Sequence, residues 1–346
     1  MTAIPVLVSF AITRRCNLRC PHCYSESVEE PHPDELSTEE ARRVISDVAS
    51  LGTRMIIFDG GEPTLRADLP ELVEHAAREG LSPLLGTNGL SDCLTPDLIA
   101  RLRDAGLKAA AISLDGSEPQ THDEFRGQQG AYGRTLAGIR ACAEAGLSFQ
   151  VGTTVHRLNV DQFERLVDLA RDLGANAVEV FDYVAAGRGT ELEATYELDV
   201  ETRRALVARV IELQRREEEL YFRMIGVPEY WVEVERTVPD EEALKFVRSC
   251  CGAGTRYATL LYDGTVLPCM LLPVHLGNVR ETPFSEIWQS SPVLEELRDR
   301  RRLRGKCGEC RYREVCSGAR CRAYAATADY LAEDPACWLD ADAIAR

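Results

Sequence analysis

From the N-terminus to about Tyr183, short runs rich in β-branched residues alternate with stretches of helical periodicity. This alternation is the signature of repeated βα units that build a parallel sheet. The strand-like runs are Leu7–Thr13, Arg54–Phe58, Pro83–Thr87, Ala109–Leu114, Ser148–Val155 and Ala177–Tyr183. Between them, Ser37-Thr38-Glu39-Glu40 has the form of a capping box that opens a helix, and Thr95-Pro96-Asp97 puts proline in a first helical turn. Such a series predicts an incomplete barrel. A doubly wound open sheet gives the same alternation, so periodicity alone does not choose between the two.

A chain of 346 residues has room for that domain and an appendage. A polar segment from Val200 to Leu220, rich in Glu and Arg, reads as a helical connection. From about Cys250 the character changes to Cys, Gly and Arg, with a turn at Asp263-Gly264 between two short strands. The expected division is a βα domain over 1–198, a helical connection over 199–249 and a cysteine-rich domain over 250–346. No stretch reaches the ~20 apolar residues of a membrane span, and no secretory pattern follows Met1. The chain reads as cytoplasmic, without a membrane partner. A net charge of −16 repels a phosphate backbone and speaks against nucleic acid. The basic run Arg298 to Arg304 reads as a solvated helix face.

Thirteen cysteines fall mostly into two dense groups with short, metal-like spacings, which favours thiolate ligation over disulfides. Cys93 and Cys142 stand apart and read as ordinary buried thiols. In the first group, Cys16-Asn17-Leu18-Arg19-Cys20-Pro21-His22-Cys23 gives a C-x3-C-x2-C spacing directly after the first strand, where an α/β sheet presents its functional loops. A cubane cluster takes four cysteines, so three thiolates leave one iron open. The alternative is a zinc loop completed by His22 or a distant cysteine, although zinc prefers repeated C-x2-C pairs.

With Tyr24 directly after it, this loop resembles the hallmark of the radical S-adenosylmethionine (SAM) superfamily. Further motifs of that family stand at the ends of the next strands in the expected order: Gly60-Gly61-Glu62-Pro63, Thr87-Asn88-Gly89 and Ser113-Leu114-Asp115-Gly116. Strand-end glycines are often mere turns, but the series is matched as a whole. The resemblance implies a partial (β/α)6 TIM-like barrel with a [4Fe-4S] cluster on Cys16, Cys20 and Cys23. It also implies that SAM binds the open iron and is cleaved, after reduction by a donor such as ferredoxin or flavodoxin, to a 5′-deoxyadenosyl radical that abstracts substrate hydrogen. The Gly60-Gly61-Glu62-Pro63 motif would hold the SAM amino group, with Glu62 as ammonium partner. Ser113 would reach a ribose, Arg126 in His122-Asp123-Glu124-Phe125-Arg126-Gly127 would meet the SAM carboxylate, and Tyr24, Thr87, Asn88 and Asp115 complete the expected site.

The second group, Cys250, Cys251, Gly264-x4-Cys269, Cys307-x2-Cys310-x5-Cys316, Cys321 and Cys337, resembles the SPASM extension of radical SAM enzymes. The resemblance implies an auxiliary [4Fe-4S] cluster on Cys307, Cys310, Cys316 and Cys337, with a structural zinc site as the alternative. A second auxiliary cluster on Cys250, Cys251, Cys269 and Cys321 departs from the family pattern, because Ala319 stands at an expected cysteine position and Cys321 is displaced. Segments such as Gly277-Asn278-Val279-Arg280-Glu281 and Phe284-Ser285-Glu286-Ile287-Trp288 resemble the branch that trims side chains of haem precursors. That implies a tetrapyrrole substrate, for which Arg14, Arg157, Arg188 and His275 are candidate contacts. The other readings are maturation of a ribosomal peptide, radical chemistry on a small cofactor or sugar precursor, and a non-catalytic iron–sulfur electron carrier. The vacant ligand position and Glu62 argue against the carrier.

Overall fold

The computed structural model describes residues 4–246 and 250–339. The first half alternates β1 (Leu7–Thr13), α1 (Thr38–Ser50), β2 (Met55–Gly60), α2 (Leu69–Arg78), β3 (Ser82–Thr87), α3 (Pro96–Asp104), β4 (Ala109–Ser113), α4 (Pro119–Arg126), α5 (Ala131–Glu144), β5 (Phe149–Val155), α6 (Phe163–Asp172) and β6 (Ala177–Asp182). There follow α7 (Glu193–Tyr196), α8 (Val200–Arg216), β7 (Tyr221–Ile225), α9 (Glu229–Thr237), α10 (Asp240–Ala243), β8 (Tyr257–Leu260), β9 (Thr265–Leu267) and β10 (Gly277–Asn278). The chain closes with α11 (Phe284–Ser290), α12 (Pro292–Arg298), α13 (Gly305–Glu309) and α14 (Arg320–Thr327).

All strands join one sheet in the order β10-β9-β8-β1-β2-β3-β4-β5-β6-β7. Pairing is parallel from β8 through β1 to β7, and antiparallel only for β9 and β10. The architecture is α/β, a partial barrel of the TIM type. Strand β7 lies inside the segment expected to be only a helical connection, and β8 hydrogen-bonds β1, so the sheet runs through both expected domain boundaries.

The strand period of two sorts side chains between an outer helix layer and an inner lumen. On β2, Ile56 and Phe58 are buried in the core, while Ile57 and Asp59 face the lumen cavity. The helices covering the outer face carry the matching stripe, Ala41, Val44, Ile45 and Val48 on α1 and Leu69, Leu72, Val73 and Ala76 on α2. The capping box at Ser37 is formed, with the Glu40 N–H donating to Ser37 Oγ and the Ser37 N–H donating to Glu40 Oε2.

Candidate active site and cluster sites

The loop after β1 folds against the turn after β2. Gly61 N–H donates to Thr13 O at 2.8 Å, and Glu62 N–H donates to Arg15 O at 2.7 Å. A Cβ at Gly61 would stand 2.1 Å from Arg15 O, so only glycine permits this approach. The loop brings Cys16, Cys20 and Cys23 to the wall of a cavity of about 250 Å³ inside the barrel. Leu18 N–H donates to Cys16 Sγ at 3.4 Å, and the Ser25 and Ser27 hydroxyls each lie 3.3 Å from Cys23 Sγ. Burial pushes the Cys16 thiol up to about 12. Burial acts the same way on Cys23, yet the Ser25 and Ser27 contacts and the Arg188 charge outweigh it and leave this thiol below its ordinary value.

Of the residues expected from sequence, Tyr24, Gly60, Gly61, Thr87, Asn88, Ser113 and Arg126 line the same cavity as the three thiols. Glu62, Pro63 and Asp115 stand behind its wall. The Glu62 side chain is fully buried: Oε1 accepts from Thr64 Oγ1 at 2.6 Å and Thr87 Oγ1 at 2.8 Å, and Oε2 accepts from Asn88 N–H at 2.8 Å. It braces the ends of β2 and β3. Asp115 accepts from Arg126 Nε at 2.5 Å and from Thr154 N–H at 2.8 Å, which aims the guanidinium. Burial would raise the Asp115 carboxyl, but Arg126 holds it below the usual carboxylate range. Cys93 packs beside Cys16 and Cys20 and donates to Leu90 O, while Cys142 is buried on α5.

Sequence reading missed a ring stack under the loop. His22 lies on Phe125 at 3.6 Å between centroids and 3° between planes, and Phe125 also meets His156 at 4.1 Å. Burial, with Arg126 nearby, pushes the His22 pKa down to about 3, and burial pushes His156 to about 4, so both rings are neutral. The lumen also presents Asp59, Glu179 and Asp182, carboxylates that the strand pattern alone could have flagged as polar residues at buried positions. Arg14 and Arg157 bond backbone carbonyls and His275 is exposed, none of them on the cavity wall.

In the C-terminal region Cys307, Cys310, Cys316 and Cys337 surround a second cavity. The N–H groups of Asp334, Tyr312 and Gly318 donate to the sulfurs of Cys307, Cys310 and Cys316, each at 3.4 Å. A third group joins Cys251, Cys269 and Cys321. The Cys321 thiol is raised well above its ordinary value by burial and then by its neighbours Cys269 and Cys251. All of these sulfurs are free thiols. Among the described residues no three His, Cys, Asp or Glu side chains gather tightly enough to hold one metal ion. Cysteine sulfurs that accept N–H groups from their own loops are a donor set suited to an iron–sulfur cluster. The donor sets therefore fit iron–sulfur clusters.

The family model of the radical SAM superfamily matches residues 10–170, and that of an iron-sulfur cluster-binding domain, SPASM, matches residues 250–311. The AdoMet-dependent heme synthase of Methanosarcina barkeri is 39% identical over 97% of this chain and 97% of its own length. The chain belongs to the radical SAM superfamily. It is an iron–sulfur enzyme of that superfamily, with SAM and [4Fe-4S] clusters as cofactors. This radical SAM enzyme is also 32% identical to the PqqA peptide cyclase of Bradyrhizobium diazoefficiens, over 97% of this chain and 87% of the cyclase. In fold it is similar to SuiB of Streptococcus suis bound to S-adenosylmethionine, with a TM-score of 0.79, 18% identity and coverage of 97% of this chain and 78% of SuiB. No helix among its described residues is long and apolar enough to cross a membrane.

Proposed function

We propose that this enzyme removes or decarboxylates side chains of an iron tetrapyrrole on the route to haem. The observation that carries the reading is the end-to-end similarity to the heme synthase. Cys16, Cys20 and Cys23 would hold the first cluster, with Gly60, Gly61, Thr87, Asn88, Ser113 and Arg126 around SAM. Cys307, Cys310, Cys316 and Cys337 would hold an auxiliary cluster, and Cys251, Cys269 and Cys321 a further one. When bound, the reduced cluster and SAM supply the one-electron chemistry that breaks a carbon–sulfur bond and abstracts hydrogen from carbon. The chain's own part is geometric. Asp115 fixes the guanidinium of Arg126 toward the cavity, Glu62 locks the strand ends, and the His22–Phe125–His156 stack packs beneath the loop. An external carrier such as a ferredoxin or flavodoxin would deliver the electron, in the cytoplasm.

A ribosomal peptide is the second reading, favoured by the similarity to the PqqA peptide cyclase. One assay separates the two. Anaerobic enzyme with dithionite and SAM is given side-chain-deuterated iron tetrapyrroles bearing acetates and propionates or, separately, peptides encoded beside the gene. The expected result is loss of a carboxyl or acetate mass from the tetrapyrrole, with deuterium in 5′-deoxyadenosine. Deuterium transfer from a peptide alone would overturn the tetrapyrrole reading and leave the superfamily assignment intact.

A further inference from the structure

The segment after β6 reaches back to the loop after β1, although four strands lie between β1 and β6 in the sheet. Arg188 N–H donates to Cys23 O at 3.1 Å. Gly187 has φ +52°, and a Cβ there would stand 2.5 Å from Tyr24 O and 2.6 Å from Cys23 O. Tyr183 OH donates to Gly189 O at 2.5 Å, pinning the far side of the same turn. Backbone is thus laid directly on the cysteine loop, and Gly187 permits it.

The Arg188 side chain is held between two carbonyls of that loop. Its Nε donates to Cys20 O at 3.1 Å and its Nη1 to Ser27 O at 2.7 Å. These acceptors are neutral, so the positive charge is left uncompensated. Its Nη2 is buried with no hydrogen-bond partner. A buried guanidinium N–H without an acceptor is costly, and this one belongs to an arginine whose other contacts, Cys20 O, Cys23 O and Ser27 O, all lie on the cysteine loop.

We infer that Arg188 tunes the reduction potential of the first cluster, its free Nη2 donating to the Cys23 side of that cluster. The inference rests on the reading of Cys16, Cys20 and Cys23 as cluster ligands. Reduction adds one negative charge to the cluster. A fixed cation and N–H donor stabilise the reduced form more than the oxidised form and raise the potential toward the reach of a biological donor. Arg188 is a positioning and tuning residue; it takes no part in bond breaking.

The test is an anaerobic redox titration followed by EPR, on full-length protein with counted iron, using the reduced signal that changes when SAM is added. Arg188→Gln keeps an N–H donor and loses the charge, and Arg188→Lys keeps the charge and loses the fork. With iron unchanged, the Gln variant should show a tenfold weaker one-electron reduction, a midpoint more negative by about 59 mV. The Lys variant should move less in the same direction. An unshifted midpoint in the iron-replete Gln variant overturns the proposal, as does loss of this cluster in both variants, which would leave Arg188 a scaffold residue. Absence of any SAM-responsive signal in the unsubstituted protein would instead overturn the ligand reading beneath it, and the proposal with it.

Discussion

Asp59 ends the buried part of β2 just before the Gly60-Gly61 turn and faces the lumen. Ser9 Oγ donates to its Oδ2 at 2.7 Å, while Oδ1 is buried without a partner. Burial raises its carboxyl to about 7, and the single Ser9 bond only partly opposes this. A carboxyl whose folded pKa lies above its unfolded value contributes most at low pH, and that contribution is lost as pH rises through about 7. Asp59→Asn removes the titration. Its stability relative to the unsubstituted protein should therefore improve by about 2 kcal/mol between about pH 5.5 and about pH 8.5. Urea unfolding of both proteins at the two pH values measures this, and a difference that does not change with pH would mean that the Asp59 carboxylate is solvated. The sequence marked Gly60 to Pro63 as one motif. It could not say that Gly60 and Gly61 face the cavity while Glu62 turns away, because that depends on Thr87 and Asn88 on the neighbouring strand.

Helix α14 decides the fate of Cys321. Two residues beyond Ala319, Cys321 lies in the first turn of a helix whose N-cap N–H donates to Asp334 Oδ2 at 2.6 Å. That turn carries the buried thiol to Cys251 and Cys269 despite its displacement in the sequence pattern. Cys321→Ala should lower the iron content of anaerobically reconstituted protein, whereas Cys142→Ala, in the core face of α5, should not. Equal iron in all three proteins would make Cys321 an ordinary core cysteine. Strand β1 was legible at both of its ends, Leu7 and Thr13, because its apolar run is bounded by charged Arg14 and Arg15. Strand β7 was not legible: only Tyr221 to Ile225 separate the end of a polar helix from a loop, and Arg223 interrupts the run. What makes it a strand is its register on β6.

At the scale of the molecule, one buried charge network ties the C-terminal cluster region to the barrel. Arg322 on α14 donates through Nε to Asp334 Oδ1 at 2.9 Å, through Nη1 to Asp182 at the end of β6, and through Nη2 to Gly226 O at 2.9 Å. Arg203 on α8 meets the same Asp182 oxygen at 2.9 Å. Arg320 meanwhile donates to Ala332 O and lies 3.5 Å from Cys307 Sγ. Removing one partner of a buried ion pair costs about 3–5 kcal/mol, since the remaining charges are stranded. Arg322→Met should therefore lower the melting temperature, and it should also lower the iron held in the C-terminal region while leaving the SAM-responsive EPR signal of the first cluster. Unchanged melting and iron in that variant would show the network to be dispensable.

The sequence by itself determined the βα alternation, the three-cysteine loop with its strand-end motifs, and the C-x2-C-x5-C trio with its distant partner. The alternation is set by strand and helix periods and the cysteine trios by short spacings, while the partnership of Cys337 with the second trio is what the resemblance to the SPASM extension implies. Tertiary structure decided that the sheet is a partial barrel extended by β7 and by β8 to β10, that Cys251, Cys269 and Cys321 are neighbours, and that Arg188 reaches the loop of Cys20 and Cys23 from the segment after the sixth strand. These are contacts between residues as distant in the chain as Leu7 and Tyr257, which pair across β1 and β8. They are fixed by strand register, by the close approach of glycine backbone and by burial of charge, and no local pattern in the chain encodes them.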